Sequence, residues 1–247
     1  MDKQNVLKER MAECGITYDS ILKEIDPKIH GPYTVVVYIS KFDGLGNKNS
    51  DFDVYVLMDE DVSIRSSVVR IECACCDIEY WSASKLISLL NEIPSNPNRK
   101  IFKIIKRIKS GIVIFSSGTS FSQIDKIISA IDIDNYIYKY YRVFTNAEYD
   151  DAVKMFKNQE YISSLMCCQR AINNLIAAIN ARNGHANLNL KWAPHIFIKN
   201  HGFGNRNAYE NFMKLAVYSC VDENNIARKV EQLLDFLTTE ISRITLF

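Results

Sequence analysis

The sequence predicts an α+β protein: a mixed β-sheet with flanking helices, followed by an all-α helical bundle. Three observations predict it. Apolar runs dense in Val, Ile, Tyr and Thr recur over 33–40, 51–58, 66–81 and 112–117, the composition of strands. Helical stretches lie between them. From Asn146 onward no strand-like run appears, and apolar residues recur at helical spacing instead.

Each element follows from its own residues. Residues 3–13 and 17–25 read as two short helices split by Gly15. "YTVVVYIS" (33–40) is a continuous β-branched and aromatic run, hence a buried strand. "KFDGLGNKN" is a turn, and "DFDVYVLM" (51–58) is the next strand, ended by "DED". "SSVVRIECACCDIEYW" (66–81) holds one bent strand or two. "SASKLISLLNEI" (82–93) is a helix with Ser82 or Ser84 as N-cap. Residues 96–111 form a helix opened by Pro97 and closed by Gly111. "IVIFSS" (112–117) is a short strand, and Phe121–Ala130 a further helix. "SSGTS" (116–120) reads as a capped turn in preference to a phosphate cradle.

In the second half, Ile162, Leu165, Met166, Ile172, Leu175, Ile176 and Ile179 make one apolar stripe. "NGHANLNLKWAPHI" interrupts it, and helices resume over 205–221 and 223–245. The change of periodicity sets the domains at 1–145 and 146–247.

Composition narrows the function. Lys and Arg total 30 against 29 Asp and Glu, so the chain has no basic footprint for duplex nucleic acid and no basic face for a membrane. No run approaches the ~18 consecutive apolar residues of a membrane helix. The N-terminus, "MDKQNVLKERMAEC", is too polar for a secretory signal. The seven cysteines are scattered and lack zinc-ligand spacing, which fits buried reduced thiols in a cytoplasmic protein.

The informative stretch is "YISKFDGLGNKNSDFDVYVL" (38–57). Side chains alternate along a strand, so Asp51 and Asp53 point the same way. Two carboxylates side by side repel unless a cation lies between them. Magnesium suits such a site, taking one or two carboxylates and filling the rest with water and substrate phosphates. Gly44 and Gly46 let the preceding turn bend close to an anion.

The whole stretch resembles the signature of the DNA polymerase beta-like nucleotidyltransferase superfamily, most closely its small-molecule branch typified by kanamycin nucleotidyltransferase. That signature is a buried strand, Gly-Ser, a short turn, and Ser-Asp-x-Asp opening the next strand. Ser40 matches the Ser of the pair, and Ser50-Asp51-Phe52-Asp53 the acidic box. The motif resemblance covers residues 33–81. It implies a nucleotidyltransferase-type sheet over 1–145, with a helical second domain that binds the acceptor.

The resemblance further implies transfer of a nucleoside monophosphate from an NTP to a hydroxyl or similar group of a small molecule, with release of pyrophosphate. A pair of magnesium ions would be held by Asp51, Asp53 and a third acid. Asp77 is the favoured third acid, Glu79 shares its strand face, and Glu72 is weaker. Ser40, Gly44 and Ser50 would contact the nucleotide, as would Lys191 beside Trp192 in the helical half. The family's Gly before Ser40 is here Ile39, a β-branched residue that disfavours positive φ. That departure leaves open a catalytically degenerate member serving as a nucleotide- or partner-binding module.

Overall fold

A computed structural model describes residues 2–25, 29, 31–46, 48–60, 63, 65–200 and 225–245. The chain divides into two compact units, 1–132 and 133–247. Unit 1 opens with helices α1 (Lys3–Cys14) and α2 (Tyr18–Lys23). Asp2 caps α1 by accepting from the Gln4 amide, and Gly15 ends it at φ 70°. That left-handed conformation is one only glycine takes without strain.

The sheet contains β1 (Tyr33–Ile39), β2 (Phe52–Met58), β3 (Arg65–Ile71), β4 (Ala74–Ser82) and β5 (Ile112–Ser116), in the order β3-β4-β2-β1-β5. β2 runs parallel to β4, and the remaining pairs are antiparallel. The ambiguous run 66–81 is resolved as a hairpin, β3 and β4, joined by Glu72 and Cys73. The hairpin is needed because β4 must return beside β2 in parallel, with β3 on the sheet edge.

β2 is central and all seven of its residues are buried. One sheet face packs on α1 and α2 through Val35, Val37, Phe52, Val54, Val56, Cys76 and Ile78 against Leu7, Met11 and Ile21. Helices α3 (Ala83–Glu92), α4 (Arg99–Ser110) and α5 (Ser120–Ala130) complete the unit, with α4 lying on β1 and α3 on β4. Ser82 is the N-cap of α3, and Ser84 hydrogen-bonds its hydroxyl at 2.8 Å. The α4 cap is Asn98, which accepts from Lys100 N–H at 2.8 Å. Gly111 ends α4 where no side chain fits: a Cβ there would lie 2.6 Å from Val36 Cγ1 and 2.8 Å from the Arg107 carbonyl.

Unit 2 contains α6 (Ile133–Lys157), α7 (Tyr161–Arg182), α8 (Ala193–Lys199) and α9 (Ile226–Thr245). α6 runs unbroken across 145–146, where the sequence pattern sets its boundary. The reason is compositional. "IDNYIYKYYRVF" is dense in β-forming residues, yet its buried positions Ile133, Ile137, Tyr141 and Thr145 recur every fourth residue. α7 buries Cys167, Cys168, Ala171, Ile172, Leu175, Ile176 and Ile179. Ile162 and Met166, read as part of that stripe, are exposed, and small residues mark the inner face there instead. The helix read over 205–221 lies outside the described residues, while the one over 223–245 corresponds to α9. No helix among the described residues is long and apolar enough to cross a membrane.

Ile78 is fully buried on β4 and belongs to the core beneath β2. Ile78→Ala is expected to lower stability by about 2–5 kcal/mol, measured as a lower urea midpoint with an unchanged slope.

Candidate active site

The parallel pairing of β2 with β4 determines which acids meet. Its register sets Asp53 beside Asp77 and Tyr55 beside Glu79. All four share one sheet face, because side chains two apart on a strand point the same way. Asp53 is 8% exposed, while Asp77 and Glu79 are half-buried. Glu79 Oε2 accepts from the Trp81 indole N–H at 3.2 Å. Asp51 lies one residue before β2 and is exposed. Its carboxylate meets the Cys75 thiol, which is held above the ordinary thiol value first by burial and then by Asp51 and Asp77.

A side chain that the motif gives no hint of completes this face. Arg107, on the last turn of α4, pairs with Asp53 through Nη1 and Oδ1 at 2.6 Å. The same Nη1 donates to the Tyr55 hydroxyl at 2.9 Å, and the guanidinium lies 5.5 Å from the Tyr38 ring centre. Lys103, one turn earlier, adds positive potential at Asp53. Helix α4, "RKIFKIIKRIKS", thus buries Ile101, Ile104, Ile105 and Ile108 while directing Lys103 and Arg107 at the acids. The i, i+4 spacing of Lys103 and Arg107 is a signal the sequence does carry.

Burial nonetheless dominates the electrostatics. It pushes the Asp53 carboxyl up to about 6, against the lowering pull of Arg107 and Lys103 and with the help of Asp77 and Glu79. Burial also acts to lower the Arg107 value, but Tyr55 and Asp53 outweigh it and hold the guanidinium above its ordinary range.

The predicted turn residues are brought together. Ser40 opens a 3₁₀ turn, Ser40–Asp43, closed by Gly44 at φ 69°. The Gly44 and Leu45 amides donate to the Lys41 and Ser40 carbonyls, both at 3.0 Å, so Gly44 acts in closing the turn. Gly46, at φ 85°, is wedged between Ser40 and Ser50. A Cβ on it would lie 2.7 Å from Ser50 Oγ and 3.0 Å from Ser40 Cβ. Arg10 of α1, also missed from sequence, is 4% exposed and donates from Nη2 to the Ser50 carbonyl at 3.2 Å. Arg10, Lys48, Ser50, Asp51, Arg70 and Cys75 line a cavity of about 440 Å³ at this end of the sheet.

Ile39 is the last residue of β1, 2% exposed in the core, with φ −132°. The strand therefore continues where the family pattern has glycine. The "SSGTS" turn is held from outside itself: Thr119, the N-cap of α5, makes no side-chain cap hydrogen bond, and its amide donates to Asp59 Oδ2 at 3.0 Å. Lys191 belongs to unit 2, where its ammonium lies 5.5 Å from the Trp192 ring centre.

The donor set is compatible with magnesium. Among the described residues no group of three or more His, Cys, Asp or Glu is arranged to hold a metal ion. Magnesium does not require one, because it is commonly held by one or two carboxylates together with water and substrate phosphates. Asp53 and Asp77, adjacent in register, supply two hard-oxygen carboxylates. A cation bound there would share Asp53 with Arg107.

No protein-family model matches the chain, and no curated protein matches it. Its structure is similar to that of a nucleotidyltransferase-like protein from Exiguobacterium sibiricum 255-15, with a TM-score of 0.50 and 11% identity over 96% of this chain and 75% of that chain. The fold is nucleotidyltransferase-like, as the acidic-box signature implied.

The raised Asp53 value fixes a pH dependence. The folded state holds this proton more tightly than the unfolded chain, so the stabilisation is complete below the ordinary value of 3.8 and is lost as pH rises through about 6. Wild type is expected to lose stability relative to Asp53→Asn across that window, read from urea unfolding at a series of pH values. Arg107→Met, which removes the cation opposing the shift, should move the loss to higher pH.

Proposed function

We propose that the chain is a Mg-dependent nucleotidyltransferase that moves a nucleoside monophosphate from an NTP to a hydroxyl or similar group of a small molecule, releasing pyrophosphate. The observation that supports it most is the register of Asp53 with Asp77 at the sheet end where Ser40, Gly46 and Ser50 converge. The nucleotidyltransferase-like fold supports the reaction type.

In this reading Asp53 and Asp77 hold the metal, and Asp51 stands at the mouth as a further ligand. Bound magnesium supplies charge compensation for the triphosphate and for the departing pyrophosphate. The Ser40 hydroxyl donates to a phosphate oxygen. Ser50 lines the nucleotide side of the turn, and Gly46 keeps the two serines close. The acceptor oxygen attacks the α-phosphorus, the bond to pyrophosphate breaks, and Glu79, on the same strand face, receives the acceptor proton. We assign acceptor recognition to the helical unit, with Lys191 a contact for an anionic group. The free thiols among the described residues suit a cytoplasmic setting.

A second reading draws on a separate observation. Arg107 already compensates Asp53, and Ile39 stands where close backbone approach is expected. Both features suit a nucleotide- or partner-binding module that performs no transfer.

One assay separates the two. The protein is incubated with magnesium, each NTP and a pool of small hydroxylated metabolites, and pyrophosphate is measured. Transfer predicts pyrophosphate release that falls by about 10²-fold or more in Glu79→Gln, the scale of a lost proton acceptor, and that is abolished in Asp53→Asn. NTP binding by calorimetry with no release from any pool would establish the module.

A further inference from the structure

The cysteines of unit 1 are used by neither reading, and two of them meet across the fold. Cys14 is the last residue of α1, and Cys73 is the second residue of the β3–β4 turn. Cys73 Sγ donates to the Cys14 carbonyl at 3.3 Å. The neighbouring residues also meet, since a Cβ on Gly15 would lie 4.0 Å from the Glu72 side chain at Cγ. Both flanks are held in left-handed conformation, Gly15 at φ 70° and Glu72 at φ 50°. For Glu72 that is an uncommon backbone, imposed by the two-residue turn.

The two thiols differ in access. Cys73 is exposed, whereas Cys14 is 4% exposed in the core beneath the sheet. Burial raises the Cys14 thiol; Arg10 acts against that rise, and the Cys73 thiol, hydrogen-bonded to it, adds to it. One sulfur can therefore meet a solvent oxidant, and the other waits beside it.

We propose that Cys14 and Cys73 form a reversible oxidation site, closed to a disulfide by hydrogen peroxide, which ties the end of α1 to the β3–β4 turn. Cys73 gives up its proton, its sulfur attacks one oxygen of the peroxide, the O–O bond breaks, and the departing hydroxide takes up that proton and leaves as water while the sulfenic acid forms. The Cys14 sulfur then attacks the sulfenic sulfur, the S–O bond breaks, and a second water leaves as the S–S bond forms. Two thiols are oxidised and one hydrogen peroxide is reduced to two waters. A thiol reductant reverses the link.

The consequence reaches the acids through α1. Arg10, one turn before Cys14, donates to the carbonyl of Ser50 beside Asp51. Cys73 lines the same cavity as Arg10 and Asp51. The proposal stands independently of whether transfer occurs.

The test treats the full chain with hydrogen peroxide and follows intact mass and non-reducing peptide maps. The expected result is a mass lower by two hydrogens, a dominant linked peptide pair joining Cys14 to Cys73, and its loss on adding dithiothreitol. Oxidised wild type should also unfold at a higher temperature, because the closed loop restricts the unfolded chain. Cys73→Ser, an exposed change that leaves the core intact, should abolish both the link and the thermal shift. Cys73 joined to Cys75, cysteines linked only between chains, or oxidation that stops at sulfinic acid on Cys73 would each overturn the proposal. So would a peroxide-treated chain with all its thiols free.

Discussion

A carboxylate on the central strand of a sheet cannot leave water without a counter-charge, and unit 1 is arranged around that constraint at Asp53. The penalty for an uncompensated buried ion is several kcal/mol or more. Here the counter-charge comes from α4, whose apolar side grips the sheet while Arg107 reaches back to Asp53. Tyr55 and Tyr38 complete the guanidinium's surroundings, one by hydrogen bond and one by its ring face. Compensation is partial, because burial still holds the proton on Asp53 above its ordinary value.

An acid in that condition has affinity to spare for positive charge. Arginine and a divalent ion answer the same electrostatic demand in different ways. The first is fixed by the chain and always present; the second arrives with its own water and phosphate ligands. The face that supports a transferase reading is therefore the same face that supports a module reading. The distinction lies in whether Arg107 shares Asp53 or retains it.

Much of the fold was legible in the sequence, and the reasons are local. The strands around Val35 and Val56 are long β-branched runs without helical spacing, and Ser82 and Gly111 mark helix ends by their own chemistry. The turn was legible because glycine at 44 and 46 has few conformational explanations. The hairpin at 66–81 was ambiguous because its turn is Glu72–Cys73, with none of the Gly or Asn that usually signals one. The start of α6 was obscured by Tyr and Ile, whose strand preference hid their spacing. At the site, Asp53, Asp77 and Glu79 were legible from parity along their strands. Arg107 and Arg10 were not, because pairing at separations of 54 and 40 residues is decided by how helices lie on the sheet.

The position of Arg107 rests on a residue with no side chain. The end of α4 comes close enough to β1 that Gly111 leaves no room for a methyl group between Val36 and the Arg107 carbonyl. Steric clearance at the backbone thus sets how far the guanidinium stands above the sheet. A single carbon added at 111 would act as a shim, lifting the final turn of the helix and loosening the clamp on Asp53 while leaving every charged group in the chain unchanged.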